Sequence, residues 1–173
     1  KVLYSEEQLA KRVKEMAEEI SKDYAGKDLL VVGILKGSVL FTSDLIKNIS
    51  IPCEIDFMAV SSYGNSAQTS GVVRILKDLD SDIENKHVLI VEDIVDTGTT
   101  LSYLLEYLKA RKAASIEIVA LLDKEARRTS NVSAKYKGFD VPDEFIVGYG
   151  IDYAEKYRNL PFIGALKEEI YNK

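Results

Sequence analysis

Apolar residues near the start of the chain fall on one side of a helix. Leu9, Val13, Met16, Ala17 and Ile20 stand four, three, one and three residues apart, a single stripe along about five turns. Ser5 and Gln8 just ahead of them have the Ser-x-x-Gln form of a capping box. Each side chain there satisfies a backbone amide of the first turn, so the helix is expected to begin at this point. The pattern then changes. Lys27 and Asp28 lead into Leu29-Leu30-Val31-Val32-Gly33-Ile34-Leu35, a short continuous apolar run of the kind found in a strand covered on both faces. Lys36-Gly37-Ser38 breaks the run, and Val39 to Ile49 reads as a second helix. Ile51 to Val60 predicts a strand with Pro52 near its beginning, where a missing amide proton does little harm.

From Ser61 to Gly71 no apolar period survives. Gly, Asn, Gln, Thr and four serines predict a mobile loop. Val72 to Leu76 suits an antiparallel partner strand. Val88 to Val91 reads as a buried strand, and Thr99 to Lys112 as a helix with Leu101, Leu104, Leu105 and Leu108 on one side. Ile116 to Leu122 and Phe145 to Tyr149 predict two further strands. Strands alternating with helices indicate an α/β fold built on a mostly parallel sheet, with residues 1–173 as a single domain. In such a fold, ligands settle beyond the carboxyl ends of the strands.

Charge and composition narrow the partners. Acidic residues outnumber basic ones 28 to 23, for a net charge of −5, and Lys and Arg form no long block. A protein that grips nucleic acid by its phosphates shows a basic face, so nucleic acid is not an expected partner. No apolar run approaches the roughly 20 residues of a membrane-spanning helix, and Lys1 to Met16 resembles no signal peptide. The chain opens on Lys1 rather than Met, so a few preceding residues are expected. The single cysteine, Cys53, cannot form an internal disulfide, and a reduced, cytoplasmic setting is expected. With one histidine, His87, a Ser-His-Asp hydrolase or a zinc site of Cys and His is nearly excluded.

The chemistry concentrates between Val88 and Leu101. Glu92 and Asp93 stand together at the expected carboxyl end of the strand, Asp96 follows, and Thr97-Gly98-Thr99-Thr100 opens the next helix. Amides of a glycine-containing turn at a helix N-terminus favour an anion, and the threonine hydroxyls add donors for a phosphate. Adjacent carboxylates on a strand diverge, so one can meet a ligand while the other faces a metal-bound water or a ribose hydroxyl. Hard oxygen donors of this kind suit Mg²⁺ shared with a phosphate. Acidic residues followed by Thr-Gly can also do no more than cap a helix. The segment is neither a Walker loop nor a Gly-x-Gly-x-x-Gly turn.

This segment resembles the phosphoribosyl-pyrophosphate-binding motif of the type I phosphoribosyltransferases. The further landmarks are Leu35-Lys36-Gly37-Ser38, Ser61-Ser62-Tyr63-Gly64, Leu121-Leu122-Asp123-Lys124, and Pro142 to Tyr149 running on to Asp152-Tyr153 and Arg158. Together they narrow the resemblance to the hypoxanthine-guanine phosphoribosyltransferases, the short bacterial kind above all. The likeness runs from about Leu30 to Leu160 and implies a mostly parallel twisted sheet flanked by helices, a small hood subdomain and a mobile loop. The implied activity is purine salvage: Mg²⁺-dependent transfer of the phosphoribosyl group from phosphoribosyl pyrophosphate to N9 of hypoxanthine or guanine. Relatives form dimers or tetramers, and a homodimer or homotetramer is expected.

The resemblance also implies roles. Thr97, Gly98, Thr99 and Thr100 would hold the 5′-phosphate, and Glu92 and Asp93 would serve the ribose hydroxyls and Mg²⁺. Lys36 and Gly37 match the pyrophosphate loop, whose Leu35–Lys36 peptide can be cis. Residues alone allow a plain strand-to-helix turn there. Asp96 matches a proton acceptor near N7 of the base. Phe145 matches the ring stacked on the purine, and Ile146 a position that contacts the base through its backbone. Asp152 matches a carboxylate near Mg²⁺, Arg158 a cation that meets pyrophosphate, and Ser62 and Tyr63 the closing loop. Lys124 has a chemical logic of its own. A 6-oxopurine presents acceptors at O6 and N7, whereas adenine offers an amino donor at position six, so an ammonium there favours oxopurines and rejects adenine. As plain sequence, Lys124 to Arg128 also reads as a solvated helix face. Glu144, where some relatives carry a cation, bears on the choice among hypoxanthine, guanine and xanthine. The alternatives are a sibling transferase for another base, xanthine foremost, and a regulator on the same fold that reads RNA or DNA.

Overall fold

Ser5 caps the first helix as its spacing predicts. Its Oγ accepts from the Gln8 amide at 3.2 Å, and Gln8 Oε1 accepts from the Ser5 amide at 2.8 Å. The computed structural model describes residues 1–62 and 73–172, the Ser62 side chain excepted. β1 (Val2–Tyr4), which no periodicity announces, precedes α1 (Glu6–Asp23). Leu9, Val13, Met16, Ala17 and Ile20 of α1 are all buried. Taking each larger side chain out of water contributes about 1.5–3 kcal/mol, so this stripe rather than helix propensity holds α1 in place.

β2 (Leu29–Leu35) has the predicted bounds, α2 (Val39–Asn48) ends one residue early, and β3 (Glu54–Ser62) starts three residues late. Pro52 and Cys53 therefore lie before the strand rather than in it. β4 (Val73–Lys77) pairs antiparallel with β3, as expected. β5 (His87–Val95) runs four residues beyond the predicted Val91, α3 (Thr99–Lys109) stops three residues short of Lys112, and β6 (Ser115–Asp123) is one residue longer at each end. A short 3₁₀ turn at Glu125–Arg127 leads to β7 (Tyr136–Asp140), which is missing from the sequence pattern. The predicted strand Phe145 to Tyr149 shrinks to β8 (Ile146–Val147). Positive φ angles at Gly148 and Tyr149 turn the chain there. β9 (Ile163–Ala165) and α4 (Glu168–Tyr171) complete the described chain.

The main sheet has the order β4-β3-β2-β5-β6-β7, and every pair in it is parallel except β3 with β4. Period-two alternation explains why its strands are apolar throughout. Leu29 and Val31 of β2, with Leu89 and Val91 of β5, pack with α1 and α2. Leu30, Val32 and Ile34, with Val88 and Ile90, pack with Leu101, Leu104 and Leu108 of α3. A separate antiparallel sheet, ordered β1-β9-β8, answers to the expected hood. Tyr63 and the rest of the expected lid to Gly71 lie outside the described residues.

Candidate active site

The site opens where the strands of the main sheet end unevenly. β2 pairs with β5 only as far as Gly33 opposite Val91, whereas β6 follows β5 on to Asp123 opposite Val95. Beyond Val91, then, β5 keeps its partner on one side and loses it on the other. Glu92 and Asp93 fall in that stretch, inside the strand rather than past its end. The turn after β2 crosses the gap. Its Leu35–Lys36 peptide is cis, and Gly37 sits so close to Asp93 that a Cβ there would overlap the carboxylate.

Thr97-Gly98-Thr99-Thr100 forms the turn into α3. Gly98 takes φ +86°, and a Cβ on it would lie 2.8 Å from Ser130 Oγ, so both conformation and space require glycine. The Thr97 carbonyl accepts from the amides of Thr129 and Ser130, at 3.0 and 3.2 Å, and from Ser130 Oγ at 3.0 Å, which pins the turn from behind. In front of it lies a cleft of about 230 Å³ lined by Glu92, Ile94, Asp96, Thr97, Gly98 and Thr100. First-turn amides at such a helix start have no partner within the helix and attract anions.

A second cleft, of about 380 Å³, shares Ile94 and Asp96 with the first and continues past Lys124, Phe145, Ile146 and Asp152. Lys124 is only 7% exposed, which excludes the solvated helix face that its neighbours suggest. Its ammonium donates to the Glu144 carbonyl at 2.9 Å and stands 3.8 Å from Asp143 Oδ1. Three donors on one ammonium leave capacity for a ligand oxygen. Phe145, 39% exposed, stands at the cleft's edge, and Ile146 behind it is buried. Asp96 Oδ1 lies 3.0 Å from Arg127 Nε.

Between the clefts and the Lys36 turn sits a charged cluster. Arg158 donates to the Gly150 carbonyl at 2.7 Å and stands 3.6 Å from Asp152 Oδ1. Glu155 accepts from both Arg158 and Lys36, each at 3.3 Å, and its amide donates to Asp152 Oδ2 at 2.8 Å. Burial, with the charge of Asp93 beside it, raises the Glu92 carboxyl well above the usual range. Burial likewise lifts Asp93 to about 6, although the Ile94 amide, 2.6 Å from its Oδ1, and Arg158 pull the other way. Half-buried carboxylates that resist ionisation suit a divalent cation, whose charge relieves both desolvation and repulsion. They do not close into a ready cage. Among the described residues, the three acidic groups with oxygens within 4.8 Å of one another are Asp123, Glu125 and Asp140, and Arg128 and Lys137 already neutralise these. A small cation held beside Glu92 and Asp93 would have to take much of its shell from water and substrate, as Mg²⁺ commonly does.

The phosphoribosyl transferase domain family matches residues 1–154. A hypoxanthine-guanine phosphoribosyltransferase of Bacillus subtilis is 54% identical over 171 residues, covering 99% of this chain and 95% of that protein. The chain belongs to the hypoxanthine-guanine phosphoribosyltransferase family. A hypoxanthine phosphoribosyltransferase structure from Staphylococcus aureus superposes with a TM-score of 0.97 at 55% identity, over all of this chain and 94% of the other. The bifunctional protein TilS/HprT of Listeria monocytogenes is 53% identical over 173 residues. The chain spans only 27% of that longer relative.

Among the family's landmarks, the structure brings Glu92, Asp96, Thr97, Gly98, Thr100, Lys124, Phe145, Ile146 and Asp152 to two adjoining clefts, while Asp93 lies against Gly37 and lines neither, and Thr99 starts α3 without lining either. Arg158 and Lys36 meet through Glu155 rather than lining either cleft. The Ser62 side chain and Tyr63 lie outside the described residues. Five residues to which no role was assigned share the larger cleft or its rim: Ile94 and Asp143, which lie inside the quoted motifs, and Arg127, Ile151 and Tyr171. Ile94 had a readable signal, since alternation places it on the face opposite Asp93. Glu155 had none.

Among the described residues, no helix is long and apolar enough to cross a membrane.

Proposed function

We propose that the protein transfers the phosphoribosyl group from phosphoribosyl pyrophosphate to N9 of hypoxanthine or guanine, with Mg²⁺, giving pyrophosphate and IMP or GMP in purine salvage. The observation that carries this reading is the buried Lys124 ammonium on the wall of a base-sized cleft, which shares Asp96 with the threonine-lined cleft.

The 5′-phosphate takes the amides and hydroxyls of Thr97 to Thr100, and Glu92 and Asp93 meet the ribose hydroxyls. The purine stacks on Phe145, with Ile146 presenting its backbone. Lys124 donates to O6, and the same ammonium opposes the amino group of adenine. Lys36, Gly37 and Arg158 face the pyrophosphate, and Ser62 and Tyr63 belong to the loop that closes over the reacting centre. Glu92, Asp93 and Asp152, together with substrate oxygens, would hold Mg²⁺, which would supply positive charge to the leaving pyrophosphate. The N9 lone pair forms a bond to C1′ as the C1′–O bond to pyrophosphate breaks, through an oxocarbenium-like state. Asp96 takes the proton that leaves N7. Positioning and charge stabilisation supply the acceleration.

An ultraviolet assay with phosphoribosyl pyrophosphate and Mg²⁺, offering hypoxanthine, guanine, xanthine and adenine separately, tests the reading. Turnover of hypoxanthine or guanine with adenine inert supports it. Failure with all four bases, while calorimetry still detects phosphoribosyl pyrophosphate binding, would replace the enzyme with a ligand-sensing regulator.

A further inference from the structure

Phe145 does not stand alone at the edge of the purine cleft. Its ring stacks on Tyr171, with centroids 5.0 Å apart and planes at 28°, and meets Tyr153 edge-on at 5.3 Å and 87°. Tyr171 is the last residue of α4 and lines the same 380 Å³ cleft. Two links bring the end of the chain here. The Leu166 amide donates to the Phe145 carbonyl at 2.8 Å, and the Tyr153 hydroxyl donates to the Ile170 carbonyl at 3.5 Å. The family match ends at residue 154, so it does not reach Tyr171.

We propose that Tyr171 is a positioning residue of the purine site. It covers one face of Phe145 and so fixes the other face toward the base. This rests on the reading that Phe145 stacks on the purine. The physical need is plain. An aromatic ring 39% exposed at a cleft mouth can turn about two side-chain bonds, and a ring that turns away presents its edge. Each ordering of Phe145 on purine binding would then cost conformational entropy. A second ring stacked behind it sets the plane before the base arrives. Tyr153, edge-on to the same ring, limits rotation from the side. A stacked aromatic pair changes an equilibrium by about two- to tenfold, and this sets the expected size of the effect.

The test measures KM for hypoxanthine, KM for phosphoribosyl pyrophosphate, kcat and thermal midpoint in Tyr171→Ala, Tyr171→Phe and Phe145→Ala. The expected result for Tyr171→Ala is a hypoxanthine KM raised about two- to tenfold, with the phosphoribosyl pyrophosphate KM and the midpoint unmoved. Tyr171→Phe keeps the ring and restores the purine KM. An unchanged hypoxanthine KM in Tyr171→Ala, beside a raised one in Phe145→Ala, overturns the role of Tyr171 alone. A lowered hypoxanthine KM overturns it too, because Tyr171 would then compete with the base for Phe145. Equal rises in both KM values with a falling midpoint would reduce Tyr171 to a structural contact. If Phe145→Ala leaves hypoxanthine binding untouched, the stacking reading itself fails and this inference with it.

Discussion

Replacing Lys124 by glutamine removes the one buried cation on the wall of the larger cleft and leaves an uncharged donor on a side chain one bond shorter. In the parent protein the ammonium donates to the Glu144 carbonyl at 2.9 Å and has Asp143 Oδ1 at 3.8 Å. A glutamine amide can still donate to that carbonyl, so the wall should stand. What disappears is a charge-assisted hydrogen bond to O6 and the repulsion of an amino group at position six. A hydrogen bond to a charged group contributes about 1.5–3 kcal/mol, which corresponds to about 10- to 150-fold in kcat/KM for hypoxanthine. Adenine should gain, because the glutamine oxygen accepts from its amino group. The ratio of kcat/KM for hypoxanthine over adenine is therefore the sensitive quantity, read from parallel ultraviolet assays at saturating phosphoribosyl pyrophosphate. It should fall by at least about tenfold with little change in thermal midpoint. An unchanged ratio in a folded variant would remove Lys124 from base selection and, with it, the observation on which the proposed function leans.

Asp96→Asn should keep IMP binding, measured by calorimetry, while kcat drops by about 10²–10⁴, the range of general acid–base assistance; unchanged turnover would clear Asp96 of the proton transfer. Gly37→Ala forces a Cβ into the Asp93 carboxylate, so pyrophosphorolysis of IMP should lose most of its rate, and a fully active variant would show that the Lys36 turn does not seat pyrophosphate. The raised carboxyls of Glu92 and Asp93 give a pH test. Groups that bind protons more tightly folded than unfolded add stability below the ordinary carboxylate range, and that stability is lost as pH rises through the folded value, here about 6 for Asp93. The metal-free midpoint should therefore fall between pH 5 and 8, Mg²⁺ should raise it more at pH 8 than at pH 5, and Asp93→Asn should flatten the metal-free slope. A slope identical in parent and variant would contradict the raised carboxyl of Asp93.

Much of this architecture is written in local patterns. The Ser5–Gln8 box and the stripe from Leu9 to Ile20 define α1, because a helix repeats its contacts every three to four residues. Leu29 to Leu35 defines β2, because a strand covered on both faces has no polar positions. Val88 to Leu101 places the carboxylates and the threonine turn side by side, since a strand running into a helix is itself a local event. The strand's true end at Val95 is not legible. Glu92 and Asp93 look like a terminus, yet the ladder to β6 continues past them because its partners are set by the sheet and not by polarity. β1 and β9 are three residues long, too short for any period to show. β7 reads Tyr-Lys-Gly-Phe-Asp and owes its strand geometry to pairing along β6. Phe145 could be matched to a motif, but the ring behind it could not. Tyr171 meets Phe145 through the fold of the whole second sheet, and Arg127 meets Asp96 across the turn after β6. Such long-range meetings have no local spelling.

The claim that joins all of these is that a purine nucleotide lies across the two adjoining clefts, its phosphate on the threonine turn and its base against Lys124. A crystal structure of the protein with IMP measures this most directly. The account predicts the phosphate within hydrogen-bond distance of the amides and hydroxyls of Thr97 to Thr100. It predicts the purine stacked on Phe145, with O6 about 2.7–3.2 Å from Lys124 Nζ. IMP bound with its base away from Phe145, or with Lys124 still turned only to Glu144, would contradict it.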